Sequence, residues 1–276
     1  MFDASSDNPK ISSYLRFVTA AECSVVLFAA VLLFFLPNLA KDLWAWDIPP
    51  FNARFVGAVY FAAYVPLFIF WYTARWTPGR LVLWMIFVFT FLVMLAMFIH
   101  WDAFAWNRPS TFLVFWPLYI FLPVNSAIFL FNSRGTQRPP ASNLTLAWRA
   151  ILLGFSIVSG LYGIGLFIFP EALTGFWPWA VDAFHARIYA SAFVTPALGA
   201  WMLAARSGHP SEHLVFGLNL ILGGILPILG SLWTNASVPP DRQIQYDSGT
   251  WIFFIIFLSG ALLGLGQILL AVRNTK

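Results

Sequence analysis

The residues of this chain best suited to chemistry are the arginines, tryptophans and histidine of one recurring stretch. Pro37–Arg54 reads PNLAKDLWAWDIPPFNAR, and Pro170–Arg187, 133 residues on, reads PEALTGFWPWAVDAFHAR. Aligned without a gap, Pro37, Trp44, Trp46, Phe51, Ala53 and Arg54 fall on Pro170, Trp177, Trp179, Phe184, Ala186 and Arg187. A guanidinium beside indole faces can hold an anion or a lipid headgroup. Arg54, Arg187, Trp44, Trp46, Trp177 and Trp179 are therefore a candidate binding rim, and His185 makes it asymmetric by standing where the first stretch has Asn52. The competing reading is structural. Each arginine opens an apolar span, where a cation opposes the helix dipole by about 0.3–1 kcal/mol. A bond to the carbonyl end of the preceding span, or to Asp47 or Asp182, would offset that cost.

Other polar residues carry less. Glu22 is the only acid inside an apolar span, and an intramembrane carboxyl is a functional candidate by default. Its structural alternative is snorkelling, or pairing with a base near one membrane surface, with Arg16 about one and a half turns away. The second stretch has Phe155 at the matching place, so the repeating unit does not need the acid. Asn125 and Asn219 fit interhelical hydrogen bonds. His209-Pro-Ser-Glu-His213 spells H-x-x-E-H, but that zinc chemistry needs both histidines on one formed helix face. Pro210 and Ser211 put the string in a turn, and it reads as a helix start capped by Ser211, with no metal expected. His100 could ligate a haem or pigment, with His185 the one partner at its end of the spans. No paired catalytic groups occur, so no catalytic residue is assigned.

The elements that position these residues are membrane helices. The chain is 60% hydrophobic and 9% charged, with mean hydropathy +0.78; a soluble domain carries about 25% charge. Soluble classes drop out. The net charge of +4 is spread over span ends, which argues against a nucleic-acid surface. One cysteine, Cys23, allows neither an internal disulfide nor a thiolate metal site. The N-terminal MFDASSDNPK is polar and acidic, unlike a signal-peptide start. Apolar runs mark eight spans, at Phe17–Leu36, Arg54–Tyr72, Leu81–Ile99, Phe112–Phe131, Ile151–Phe169, Ile188–Ala205, Leu214–Trp233 and Trp251–Val272. The Trp-bearing stretches are too short and polar to cross, and fit the headgroup level.

The expected fold is all-α: an eight-helix integral membrane protein built from two parallel four-helix repeats. Residues 1–134 form the first repeat with its tail, 135–146 a cytoplasmic linker and 147–276 the second repeat. Four spans per repeat, an even number, make both repeats enter the membrane in one direction. Ten of the 15 Lys and Arg residues lie on the side of the N-terminus, which places both termini in the cytoplasm and the Trp-rich segments outside.

The Trp177-Pro178-Trp179 triplet followed by Ala186-Arg187, with its fainter copy at 44–54, resembles a loose group of bacterial multi-pass membrane proteins with no assigned activity. They pair a W-x-W outer segment with A-R at the next helix start. The first copy departs from them, having Ala45 for the central proline. The resemblance implies architecture only. The functional expectation is a non-catalytic accessory, structural or lipid-binding component of the plasma membrane, with lipids and other membrane subunits as partners and no nucleic acid. The alternatives are a transporter or channel for a small neutral or anionic solute along the axis between the repeats, and a membrane enzyme acting on lipid-soluble substrates.

Overall fold

The computed structural model describes residues 8–136, 144–206 and 208–274. Most of the expected linker at 135–146, and the first seven residues, lie outside the described residues. The chain is all-α, and among the described residues eight helices are long and apolar enough to cross a membrane. They are α1 (Ser13–Phe35), α3 (Pro50–Thr73), α4 (Trp76–Ile99), α5 (Trp116–Asn132, entered through a π-helical stretch at Ser110–Phe115), α6 (Leu146–Ile168), α8 (Ala183–Arg206), α9 (Pro210–Ser237) and α10 (Ser248–Arg273). Two short helices, α2 (Pro37–Leu43) and α7 (Pro170–Leu173), open the two matching stretches.

Every span begins two to five residues before its apolar run. Capping sets the start, because the first N–H groups of a helix need acceptors wherever hydropathy begins. The Ser12 hydroxyl accepts from the Leu15 amide at 3.2 Å and Thr145, at the matching place, from Trp148 at 3.3 Å. Asp247 accepts from Thr250 at 2.9 Å. At α9 the cap is His209 and not the expected Ser211. The His209 ring takes the Ser211 amide at 3.3 Å while Glu212 reaches back to the His209 amide at 3.1 Å. Imidazole Nδ1 reaches the first turn as a serine hydroxyl would, and the cap uses the string that looked like zinc chemistry.

The spans pack as two layers of four. In one layer α1 packs on α3, α3 on α9 and α9 on α10; in the other α5 packs on α4, α4 on α8 and α8 on α6. Each layer takes two spans from either half of the chain. Glycines let backbones meet inside the layers. A Cβ on Gly217 of α9 would lie 2.6 Å from the Gly264 carbonyl of α10, and the converse distance is also 2.6 Å. Gly57 of α3 faces the Phe34 amide of α1 in the same way. A larger side chain at Gly264 would have to push the α9 and α10 backbones apart, at about 1–3 kcal/mol. Gly260, one turn away, faces open space, so the Gly260-x3-Gly264 pattern is a contact at one glycine only.

Candidate functional site

The recurring stretches converge at one end of the bundle, and hydrogen bonds engage both arginines, His185, Trp46 and Trp177. Arg54 Nε donates to the Phe34 carbonyl at 3.1 Å, and Arg187 Nε donates to the Phe167 carbonyl at 3.1 Å. Phe34 and Phe167 lie in the last turns of α1 and α6, again 133 residues apart. The second arm of each arginine crosses to the other half. Arg54 Nη1 donates to the Thr234 hydroxyl at 2.8 Å, on α9. Arg187 Nη1 donates to His100 Nε2 at 2.6 Å, at the end of α4. Arg54 also lies over the Trp233 ring, 4.6 Å from its centre.

Neither arginine sits at its own helix start, as the hydropathy implied. The helices begin earlier, so both arginines fall in the second turn and reach the carbonyl ends of neighbouring helices. A cation there favours the dipole instead of opposing it. The acids expected nearby are used elsewhere: Asp47 pairs with Arg108 at 2.8 Å, and Asp182 with His185 at 2.6 Å.

The tryptophans pack against protein. Trp44, Trp46 and Trp177 are buried in the protein, and Trp179 is half-buried. Trp46 packs edge-on against Phe115 and Phe184, with ring centres 5.0 and 5.1 Å away. Its indole N–H donates to His185 Nε2 at 3.1 Å. An indole can only donate, so the His185 proton is on Nδ1 and goes to Asp182. With both ring nitrogens of His185 engaged and His100 Nε2 taken by Arg187, a haem or pigment ligated at any of these three nitrogens would have to break a bond. Trp177 donates to the Tyr162 hydroxyl at 3.0 Å, which in turn donates to the Leu173 carbonyl at 3.1 Å. The position matching Tyr162 in the first half is Ala29. The Trp44 indole N–H is left with no partner among the described residues.

The opposite end of the bundle holds a contact that sequence reading missed. Arg80, at the start of α4, pairs with Glu212, at the start of α9, at 2.8 Å, and both side chains are buried. Each residue was visible only as part of a turn. The signal that could have found them is their shared register: Arg80 matches His213, one residue after Glu212. His213 instead meets Gln267 of α10 at 2.7 Å. Of the two intramembrane asparagines, Asn219 donates to the Ala62 carbonyl at 2.8 Å, joining α9 to α3. Asn125 is buried, and no hydrogen bond reaches it among the described residues, contrary to expectation.

Between the layers lies a cavity of about 890 Å³, within the usual range for small-molecule sites. It is lined from all eight spans. Most of its wall is apolar or aromatic, and most of its polar groups are already spoken for. Tyr60 and Tyr119 share a hydrogen bond of 2.6 Å, and Thr90 donates to the Ile86 carbonyl at 2.7 Å. At its Trp-bearing mouth stand Asp42, Asn107 and Arg108. Glu22 opens onto it from α1 and makes no hydrogen bond or ion pair among the described residues. The expected pairing of this acid with a base is absent because α1 turns that face toward the gap between layers.

No known protein family, curated protein or solved structure matches the chain.

The rim histidine gives the fold a pH dependence. Burial, then repulsion from Arg187, holds the His100 pKa below its usual value. The unfolded chain therefore binds this proton more readily than the fold does. Stability is complete above about pH 6.5 and is lost as pH falls below that value toward the folded pKa. Burial pushes the Asp182 carboxyl up, but the hydrogen bonds from His185 outweigh it and bring the pKa down to about 2. Its stabilisation fades only below about pH 4, a separate window. The melting temperature in detergent should thus drop between about pH 7.5 and 5.5, and His100→Gln, whose amide oxygen can still accept from Arg187, should flatten that drop. A wild-type melting temperature constant across the range would contradict the assignment.

Proposed function

We propose that the protein is a non-catalytic, multi-pass membrane component that binds a lipophilic molecule or lipid chain in the cavity between its helix layers. The observation that carries this reading is the cavity itself: about 890 Å³ of space, walled mostly by apolar side chains, inside a bundle of membrane-crossing helices. The rim arginines serve the fold in this reading, since the guanidinium bonds described above already engage them. A continuous polar path along the axis would have favoured a transporter or channel for a neutral or anionic solute, and the apolar wall argues against it. Two parallel repeats underlie the architecture; the equivalent bonds of Arg54 and Arg187, at the same offset, support that organisation.

Filling the cavity tests the reading. Gly223 lines it, and a Cβ there would meet only Ala62, at 3.6 Å. Native mass spectrometry of gently extracted wild type should show a bound lipophile. Gly223→Phe should lose it while melting within a few degrees of wild type. Equal retention by the two proteins would refute the site.

The same proposal places both termini in the cytoplasm and the Trp-rich end outside, in the plasma membrane, in contact with lipids and other membrane subunits. Ten of 15 basic residues on the N-terminal side support the orientation. In a Cys23→Ser background, a cysteine at the exposed Asp241 should react with an impermeant thiol reagent on intact cells, and one at Thr136 should not. The reverse pattern would invert the topology.

A further inference from the structure

Among the described residues Glu22 is the one carboxyl of a membrane-crossing helix that lines the cavity, and it makes no hydrogen bond or ion pair. Its relative exposure is 7%, and that small opening faces the cavity. It lies roughly 14 Å from the start of α1, well inside the span. An ionised carboxylate removed from water costs several kcal/mol unless it is paired. Among the described residues no cation pairs with it. Arg54 and Arg187 are spent at the rim, and Arg80 is held by Glu212. Arg108, the only basic residue among the described residues that line the cavity, is at the mouth and bonded to Asp47 and to the Trp44 carbonyl.

The surroundings of the carboxyl favour positive charge in a second way. Phe89, Phe155, Phe193 and Phe257 line the cavity together with Tyr60 and Tyr119. Aromatic faces attract cations, more strongly where water is excluded. The two halves are unequal here. Where the first half has Glu22 and Ala29, the second has Phe155 and Tyr162, and all four line the cavity. The acid and the extra room therefore come from one half, and additional aromatic wall from the other. Besides the mouth, a lateral way in exists. Neither α1 with α5 nor α6 with α10 forms an extended packed interface, so the layer edges are the places where the cavity can meet the bilayer.

We propose that the cavity takes a lipophilic organic cation, an amine or a quaternary onium, with its charge against Glu22 and its apolar body among the aromatic rings. The inference rests on the cavity being a binding site and adds the charge of the ligand. An anion would meet a carboxylate and, among the described lining residues, no uncommitted base. Beside a neutral ligand the buried carboxyl would take up a proton and its charge would go unused.

The test uses two probes of one shape and opposite charge. Tetraphenylphosphonium and tetraphenylborate are each measured by equilibrium binding to the purified full chain in detergent. The phosphonium should bind wild type at least tenfold more tightly than the borate. Glu22→Gln should weaken phosphonium binding at least tenfold without moving the melting temperature, and Gly223→Phe should abolish it. Absence of phosphonium binding to wild type, or borate binding of equal strength, overturns the proposal with no variant needed. Phosphonium binding that Gly223→Phe removes and Glu22→Gln leaves intact overturns the charge assignment alone and keeps the cavity reading. Binding that neither variant changes overturns both.

Discussion

Two helix layers are joined at their ends by polar bonds and stand apart between them. At the Trp-bearing end the Trp46 indole crosses from one layer to His185 in the other, at 3.1 Å. At the opposite end Arg80 of α4 crosses to Glu212 of α9, at 2.8 Å. The Tyr60–Tyr119 hydroxyl pair, 2.6 Å apart, is a strut between α3 and α5. Within each layer one arginine holds three helices together. Arg54 of α3 binds α1 and α9; Arg187 of α8 binds α6 and the end of α4. These bonds matter because helix ends carry carbonyls without partners, and hydrocarbon offers none. The arginines supply donors where water is scarce, and in doing so fix which helices share a layer.

The end contacts set geometry more than they add stability. A buried ion pair such as Arg80–Glu212 roughly balances its own desolvation, yet loss of one partner costs about 3–5 kcal/mol. The pair therefore penalises any packing in which α4 and α9 start at different heights. Its fixed spacing at one end, and the aromatic cluster around Trp46 at the other, leave the layers little freedom to close on each other. The gap follows from that constraint, and the small residues facing it, Ala29, Ala63, Ala192 and Gly223, keep it open.

Much of the frame was legible from hydropathy and repetition. Eight spans, their order, and the special standing of Arg54 and Arg187 come from apolar runs and one recurring pattern. Helix starts were not legible, because caps such as Ser12 and His209 lie in polar sequence outside the apolar runs. That error placed the arginines at helix mouths, when an extra turn puts them against neighbouring carbonyls. Composition makes Trp44, Trp46 and Trp177 look interfacial, because it cannot distinguish a ring facing lipid from one facing Phe115 or Phe55 across a loop. The Arg80–Glu212 pair joins residues 132 positions apart, and no local pattern encodes it. The loneliness of Glu22 is likewise a property of the assembled layers: it requires knowing that Arg108, at the cavity mouth, is already held by Asp47 and the Trp44 carbonyl.

The central claim is that the space between the layers is held open for a ligand. An electron cryomicroscopy map of the protein in lipid nanodiscs, at a resolution that shows side chains, tests it most directly. The account predicts separated layers, with non-protein density between them reaching hydrogen-bonding distance of the Glu22 carboxyl. Layers closed on each other, with Phe89, Phe155 and Phe193 filling the gap and Glu22 bonded to a protein base, would contradict it.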